Sequence, residues 1–224
     1  DFAVFARSGW TGVQSVSQIH WVGDQEANWS EHDGLPTVVP AMLNLGISGV
    51  PFVTHDIAGF SGGPSSKELW LRWVELGAFT PIMRTHEGND KENNWSWEKD
   101  VESSEHLRRM ALVHQAVAPD FEALAEEASD TSAPVLRHLV LVYPDDPESA
   151  GIDDQYLIGE QLLVAPVVTE GATEREVYLP AGEWFHVWTG EAYAGGQRVT
   201  VAAPIGQPPV FSRDRDRSVL RAIQ

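Results

Sequence analysis

The sequence predicts an α/β protein in which a run of parallel βα units precedes a small antiparallel β-sandwich. Two observations carry this. Four short apolar runs in the first part each end at a polar residue able to do chemistry, with helical patterns between the later ones. After about residue 131 the texture changes to short β-type runs broken by Gly, Pro and Asp.

The apolar runs are residues 4–6 before Arg7, 19–22 before Asp24, 51–53 before Asp56, and 81–83 before Arg84 and His86. Short continuous apolar runs suit strands buried on both faces, as in parallel sheets covered by helices. Residues 36–47 and 66–78 carry helical patterns, the second with Ser65-x-x-Glu68 as a capping box and Gly77 as its C-cap. A third helix spans 101–129, with Leu107, Met110, His114, Val117, Phe121, Leu124 and Ala128 as its buried stripe. The β-type runs that follow are 139–143, 156–168, 176–179, 184–188 and 198–202. The expected division is therefore 1–131 and 132–224.

The polar residues fall at the C-terminal strand ends, where βα barrels build their active sites. Asp24, Asp56 and His86 are spaced by close to one βα unit each time. A doubly wound sheet also places ligands at strand ends, so this pattern alone leaves both folds open. Four units would make half a barrel.

Composition narrows the partners. With 42% hydrophobic residues, 224 residues suffice for one large domain or a medium and a small one. A formal net charge of -18 and a pI near 4.6 oppose binding to phosphate backbones and anionic lipid surfaces. No nucleic acid or membrane partner is expected. The chain has no cysteine, which excludes disulfides, thiol catalysis and thiolate metal sites and fits the cytoplasm better than an export route. The first residues, from Asp1, carry no initiator Met, basic n-region or long apolar run, so no signal peptide or transmembrane helix is in view. A strand this near the start needs a neighbour, and further sequence upstream is expected to supply it.

The densest chemical constellation is Ile19-His20-Trp21-Val22-Gly23-Asp24-Gln25, an apolar strand that delivers a carboxylate beside two rings and a glycine. Partial burial of this kind suits a general acid. Taken alone, it reads more readily as a Gly-Asp turn at a strand end. The surrounding motifs decide the matter: Phe5-Ala6-Arg7-Ser8, Trp21-Val22-Gly23-Asp24, His55-Asp56-Ile57-Ala58-Gly59-Phe60, Leu71-Arg72-Trp73 and Arg84-Thr85-His86 stand in the order seen in glycoside hydrolase family 31. Residues 159–167 and 184–190 resemble that family's sandwich, so the resemblance covers nearly the whole chain.

The resemblance implies the C-terminal half of a (β/α)8 barrel and a retaining, exo-acting α-glycosidase that needs no cofactor or metal. The Asp of Trp-x-Gly-Asp is that family's acid/base, a role that falls on Asp24. Its nucleophile lies on a strand upstream of Arg7, and nothing in this sequence matches that motif. A retaining pair needs carboxyl groups about 5–5.5 Å apart, so these residues alone are not expected to complete a turnover. Asp56 belongs to the family's Asp-Ile-x-Gly-Phe turn, which shapes the sugar site. Arg7 and His86 are expected to bond hydroxyls of the sugar, Trp21 and Phe60 to form apolar walls, and Gln25 and Arg84 to complete the substrate site, Arg84 through ion pairs. Trp70 and Trp73 lie on a helix stripe and read as core. His55 and Asp56 make two ligands at most, short of a closed metal site.

Within the family, Gly23-Asp24-Gln25, Trp29, Asp33-Gly34-Leu35, residues 84–89 and residues 204–211 resemble the sulfoquinovosidases. Scaffold likeness reports ancestry better than substrate choice. Sulfonate recognition in that group is expected from an upstream Arg and Trp and from a Tyr where this chain has Phe60, and losing that hydroxyl removes a polar contact. An α-glucoside is therefore the first expectation and a sulfoquinovoside the second. A noncatalytic sugar-binding or structural module is the reading from another class. The expected partners are a carbohydrate, the remainder of the same enzyme and a possible second copy of the chain.

Overall fold

The computed structural model describes residues 4–223. Residues 1–3, part of the expected strand start, lie outside the described residues. Three short parallel strands, β1 (Phe5–Ala6), β2 (Ile19–Trp21) and β3 (Phe52–Thr54), form a sheet in the order β1-β2-β3. Phe5 pairs with Ile19, and Ile19 with Phe52. Helix α1 (Val38–Ile47) connects β2 to β3, and α2 (Lys67–Ala78) follows β3. The long α3 (Val101–Thr131) packs on α2 and ends with Ser132 in the left-handed region.

The expected fourth strand does not form. Residues 81–83 are irregular, and only an isolated parallel bridge joins Ile57 to Thr85. Pro81 has no N–H to give a ladder, and the Thr54 and Thr80 hydroxyls both donate to the Ile82 carbonyl, at 3.0 and 3.3 Å. The capping of α2 also differs. Its N-cap is Ser66, whose hydroxyl accepts from Leu69 N–H. Ser65 instead accepts from Trp95 N–H, and Glu68 takes Gly171 N–H. Gly77 is inside the helix, where a Cβ would lie 2.8 Å from Ile57 Cδ1. It serves close packing, while Phe79 is the C-cap.

Past α3 come β4 (Leu136–Arg137), a helical turn α4 (Leu139–Val142), β5 (Tyr156–Ile158), β6 (Leu162–Val164), β7 (Glu174–Leu179), β8 (Glu183–His186), β9 (Ala192–Ala194), β10 (Gln197–Ala202), β11 (Val210–Ser212) and α5 (Ser218–Ala222). Residues 139–143 are thus a turn of helix and not a strand. His138 decides this by accepting Val140 N–H on its Nδ1 as an N-cap. An antiparallel sheet in the order β4-β5-β6-β11-β8-β9 faces the pair β7-β10.

Alternation explains why the adjacent strands β5 and β6 of the larger sheet are apolar throughout. Leu157, Leu163 and Phe211 point into the sandwich core with Val177, Leu179 and Val201. Their neighbours Tyr156, Ile158, Leu162, Val164 and Val210 point the other way, into one core with α1, α2 and α3. A period of two puts successive residues on opposite faces, and here both faces are buried. Tyr156 anchors the junction by donating to Phe79 O at 3.0 Å.

Candidate active site

The three parallel strands point the same way, so the residues after each share one end of the sheet. Arg7 follows β1, Asp24 follows β2 by three residues, and Asp56 follows β3 by two. Gly23, at φ +113, allows the abrupt turn that presents Asp24. Arg7 Nη2 donates to Asp24 Oδ2 at 2.7 Å, with Arg7 exposed and the Asp24 side chain 28% accessible.

Asp56 lies deeper, 2% exposed, and pairs with Arg84. Burial raises the Asp56 carboxyl above its ordinary range, while the charges of Arg84 and His86 pull it down and that of Asp24 pushes it up. Asp24, Arg84 and His86 therefore all lie within electrostatic reach of the Asp56 carboxyl. The Arg84 guanidinium lies 5.1 Å from the Phe5 ring centroid and 5.8 Å from that of Trp21. Cationic charge over aromatic faces is favourable there. Phe5 and Trp21 themselves meet edge to face at 5.8 Å. Phe60 and His86 do the same at 5.3 Å.

Gln25 turns inward. It is 5% exposed, and its Nε2 donates back to Val22 O at 3.1 Å. Its backbone carbonyl accepts from Phe60 N–H and Ser61 N–H, which fastens one loop to the other. Ser61 adds a bond from its hydroxyl to Asp24 O at 2.8 Å and a bridge to Glu26. Nothing in the spacing singled out Ser61. The Ala58-Gly59 pair was the available signal: both residues have positive φ, and a Cβ on Gly59 would lie 2.9 Å from Gln25 O and Ala27 N.

His55 is fully buried on the helix side of β3, where Trp73 Nε1 donates to its Nδ1 at 3.0 Å. Burial pushes its pKa down to about 3. Trp70 and Trp73 are core residues of α2, 1% and 0% exposed. Among the described residues no three His, Asp or Glu side chains gather as a metal site, and no helix is long and apolar enough to cross a membrane.

Comparison with known proteins agrees with this geometry. Residues 2–114 match the glycosyl hydrolases family 31 TIM-barrel domain, and residues 132–215 match that family's C-terminal domain. Sulfoquinovosidase of Escherichia coli (strain K12) is 45% identical over 216 residues, covering 95% of this chain and 32% of the relative. Alpha-glucosidase 2 of Bacillus thermoamyloliquefaciens is 35% identical over 93% of this chain and 26% of the relative. A solved sulfoquinovosidase of the same family from E. rectale, in complex with an aza-sugar inhibitor, superposes with a TM-score of 0.92 at 36% identity, over 100% of this chain and 34% of that one. The chain thus spans about a third of the length of these relatives or less. With both family domains matched in order along parallel and antiparallel segments of the expected kinds, the chain belongs to glycosyl hydrolase family 31.

Proposed function

We propose that this chain forms the acid/base half of the active site of a retaining exo-acting α-glycosidase. The observation that carries this is the placement of Asp24: at the C-terminal end of a parallel strand, bonded to Arg7 at 2.7 Å and within electrostatic reach of Asp56. In the first step the Asp24 carboxyl donates its proton to the glycosidic oxygen as a second carboxylate attacks the anomeric carbon. In the second, Asp24 takes a proton from the water that hydrolyses the glycosyl-enzyme. The nucleophile is assigned to sequence upstream of Arg7. Relatives about three times as long support that assignment, as do Phe5 and Trp10, 48% and 87% exposed beside β1. On this reading residues 1–131 are the second half of the barrel and 132–224 its supporting sandwich. Arg7 and His86 hold sugar hydroxyls, Trp21 and Phe60 give the apolar walls, and Arg84 fixes Asp56.

The substrate is a terminal α-glucoside. Phe60 offers no hydroxyl to a sulfonate or its water, which favours a neutral sugar. A sulfoquinovoside is the second reading, favoured by 45% identity to the E. coli sulfoquinovosidase against 35% to alpha-glucosidase 2. The test is NMR of early product from an aryl α-glucoside and an aryl α-sulfoquinovoside with the full-length protein. The α-anomer forming first supports a retaining mechanism. The β-anomer forming first, or no cleavage of either glycoside, contradicts it.

A further inference from the structure

The loop after His86 is fastened by one side chain. Asn94 is 6% exposed, far more buried than a loop amide usually is. Its Nδ2 donates to Glu87 O at 3.0 Å and its Oδ1 accepts from Ser65 N–H at 3.0 Å. The carboxamide is wedged between two glycine backbones. A Cβ on Gly63 would lie 2.7 Å from Asn94 Oδ1, and one on Gly88 would lie 2.7 Å from Asn94 Nδ2. Both glycines have positive φ. Asn89 N–H then bonds Phe60 O at 2.9 Å, which ties the same loop to the turn carrying Phe60.

The far end of this clamp is His86. Gly88 N–H donates to His86 Nδ1 at 2.8 Å. An Nδ1 that accepts a backbone N–H leaves Nε2 as the protonated nitrogen and the ring's donor. Gly88 reaches that position because Asn94 grips the neighbouring Glu87 carbonyl. The Phe60 ring meets the imidazole edge to face from the other side of the same clamp.

We propose that Asn94 is a positioning residue, which fixes the orientation and tautomer of the His86 imidazole by clamping the 87–89 turn to the 60–65 turn. The proposal rests on His86 holding the sugar, as argued above. Asn94→Asp keeps the shape and the acceptor for Ser65 N–H but sets a carboxylate oxygen against the Glu87 carbonyl. Gly88→Ala presses on the clamp from the opposite side.

The test is a double-mutant cycle in the full-length protein on an aryl α-glycoside, with melting temperatures and 15N spectra of the histidine rings. Asn94→Asp and Gly88→Ala should each lower kcat/KM by about tenfold or more. In a His86→Ala background the same changes should add less than about twofold, and wild-type 15N shifts should place the His86 proton on Nε2. Losses that multiply with His86→Ala, or wild-type kinetics in both clamp variants, would overturn the proposal. If the wild-type protein cleaves no α-glycoside, the functional reading fails by itself. The ring spectrum then decides the clamp: an unchanged His86 tautomer and shift in Asn94→Asp would refute it.

Discussion

Breaking the buried Arg72–Glu75 ion pair within α2, whose two members also bond the sandwich, should loosen that junction by several kcal/mol. Arg72 and Glu75 are 2% and 1% exposed, with Nη1 to Oε2 at 3.0 Å. Arg72 Nη2 donates to Ala172 O and Ala203 O at 2.9 and 2.7 Å, and Glu75 Oε1 accepts Gly206 N–H. Arg72→Met keeps the apolar stem and removes all three Arg72 bonds. Removing one partner of a buried pair costs about 3–5 kcal/mol, because the other charge stays uncompensated. Burial already pushes Glu75 up to about 7 against the opposing charge of Arg72. A carboxyl raised in the folded state contributes stability below its ordinary range and loses it as pH rises through the folded value. The cost of Arg72→Met should therefore be larger at pH 8 than at pH 5.5, where the lone carboxyl is protonated. Arg72→Met/Glu75→Leu removes both charges and leaves the Ala172 and Ala203 carbonyls and Gly206 N–H unpaired. It should recover about 2 kcal/mol of the single-variant loss at pH 8. Urea unfolding followed by tryptophan fluorescence at both pH values measures this. Single losses that simply add, or an Arg72→Met cost that is the same at both pH values, would refute the reasoning.

Three further outcomes follow from the site and its frame. Gly59→Ala should destabilise by about 1–3 kcal/mol and depress turnover, since its Cβ strikes Gln25 O and Ala27 N. Gly171→Ala, also at positive φ but with nothing within 4 Å, should leave turnover unchanged in the same assays. Phe60→Tyr should raise the ratio of kcat/KM for an aryl α-sulfoquinovoside over an aryl α-glucoside by about tenfold, and an unchanged ratio would remove Phe60 from sugar choice. Burial holds His106 down to about 4, so it stays neutral in the folded protein while the unfolded chain takes up a proton below about 6.5. This group should therefore remove up to about 3 kcal/mol of stability as pH drops from 6.5 to 4, and His106→Gln should reduce the slope of that arm of a urea midpoint series, to which buried His55 also contributes.

Apolar runs ending in polar residues were enough to locate β1, β2 and β3 and to bring Arg7, Asp24 and Asp56 to one end, while His86 reaches Asp56 from an irregular segment. They misplaced a strand at 81–83 because Pro81 and two threonine hydroxyls compete for the ladder groups, which periodicity does not register. The same blindness made a strand of 139–143, where His138 caps a helical turn. The stripe on α3 was legible at Met110, Val117, Phe121 and Ala128, all buried. Gln25 illustrates the limit at the site. Its position beside Asp24 suggested contact with substrate, but whether a side chain turns outward or back to Val22 O depends on the 56–61 turn lying over it. Asn94 sits in a polar run of the 89–100 loop, and only the folded contacts distinguish it from its neighbour Asn93, which is exposed.

The central claim is that Asp24 is the acid/base, and Asp24→Ala with and without azide tests it most directly. An aryl glycoside with a very acidic leaving group needs little protonation, so the variant should lose far less of its glycosylation rate on that substrate than on a natural α-glucoside. Its deglycosylation then lacks a base. Azide needs none, and added azide should restore turnover of the activated glycoside and yield the α-glycosyl azide. Equal losses on both substrates, no response to azide and a lowered melting temperature would contradict the assignment and leave Asp24 a structural residue.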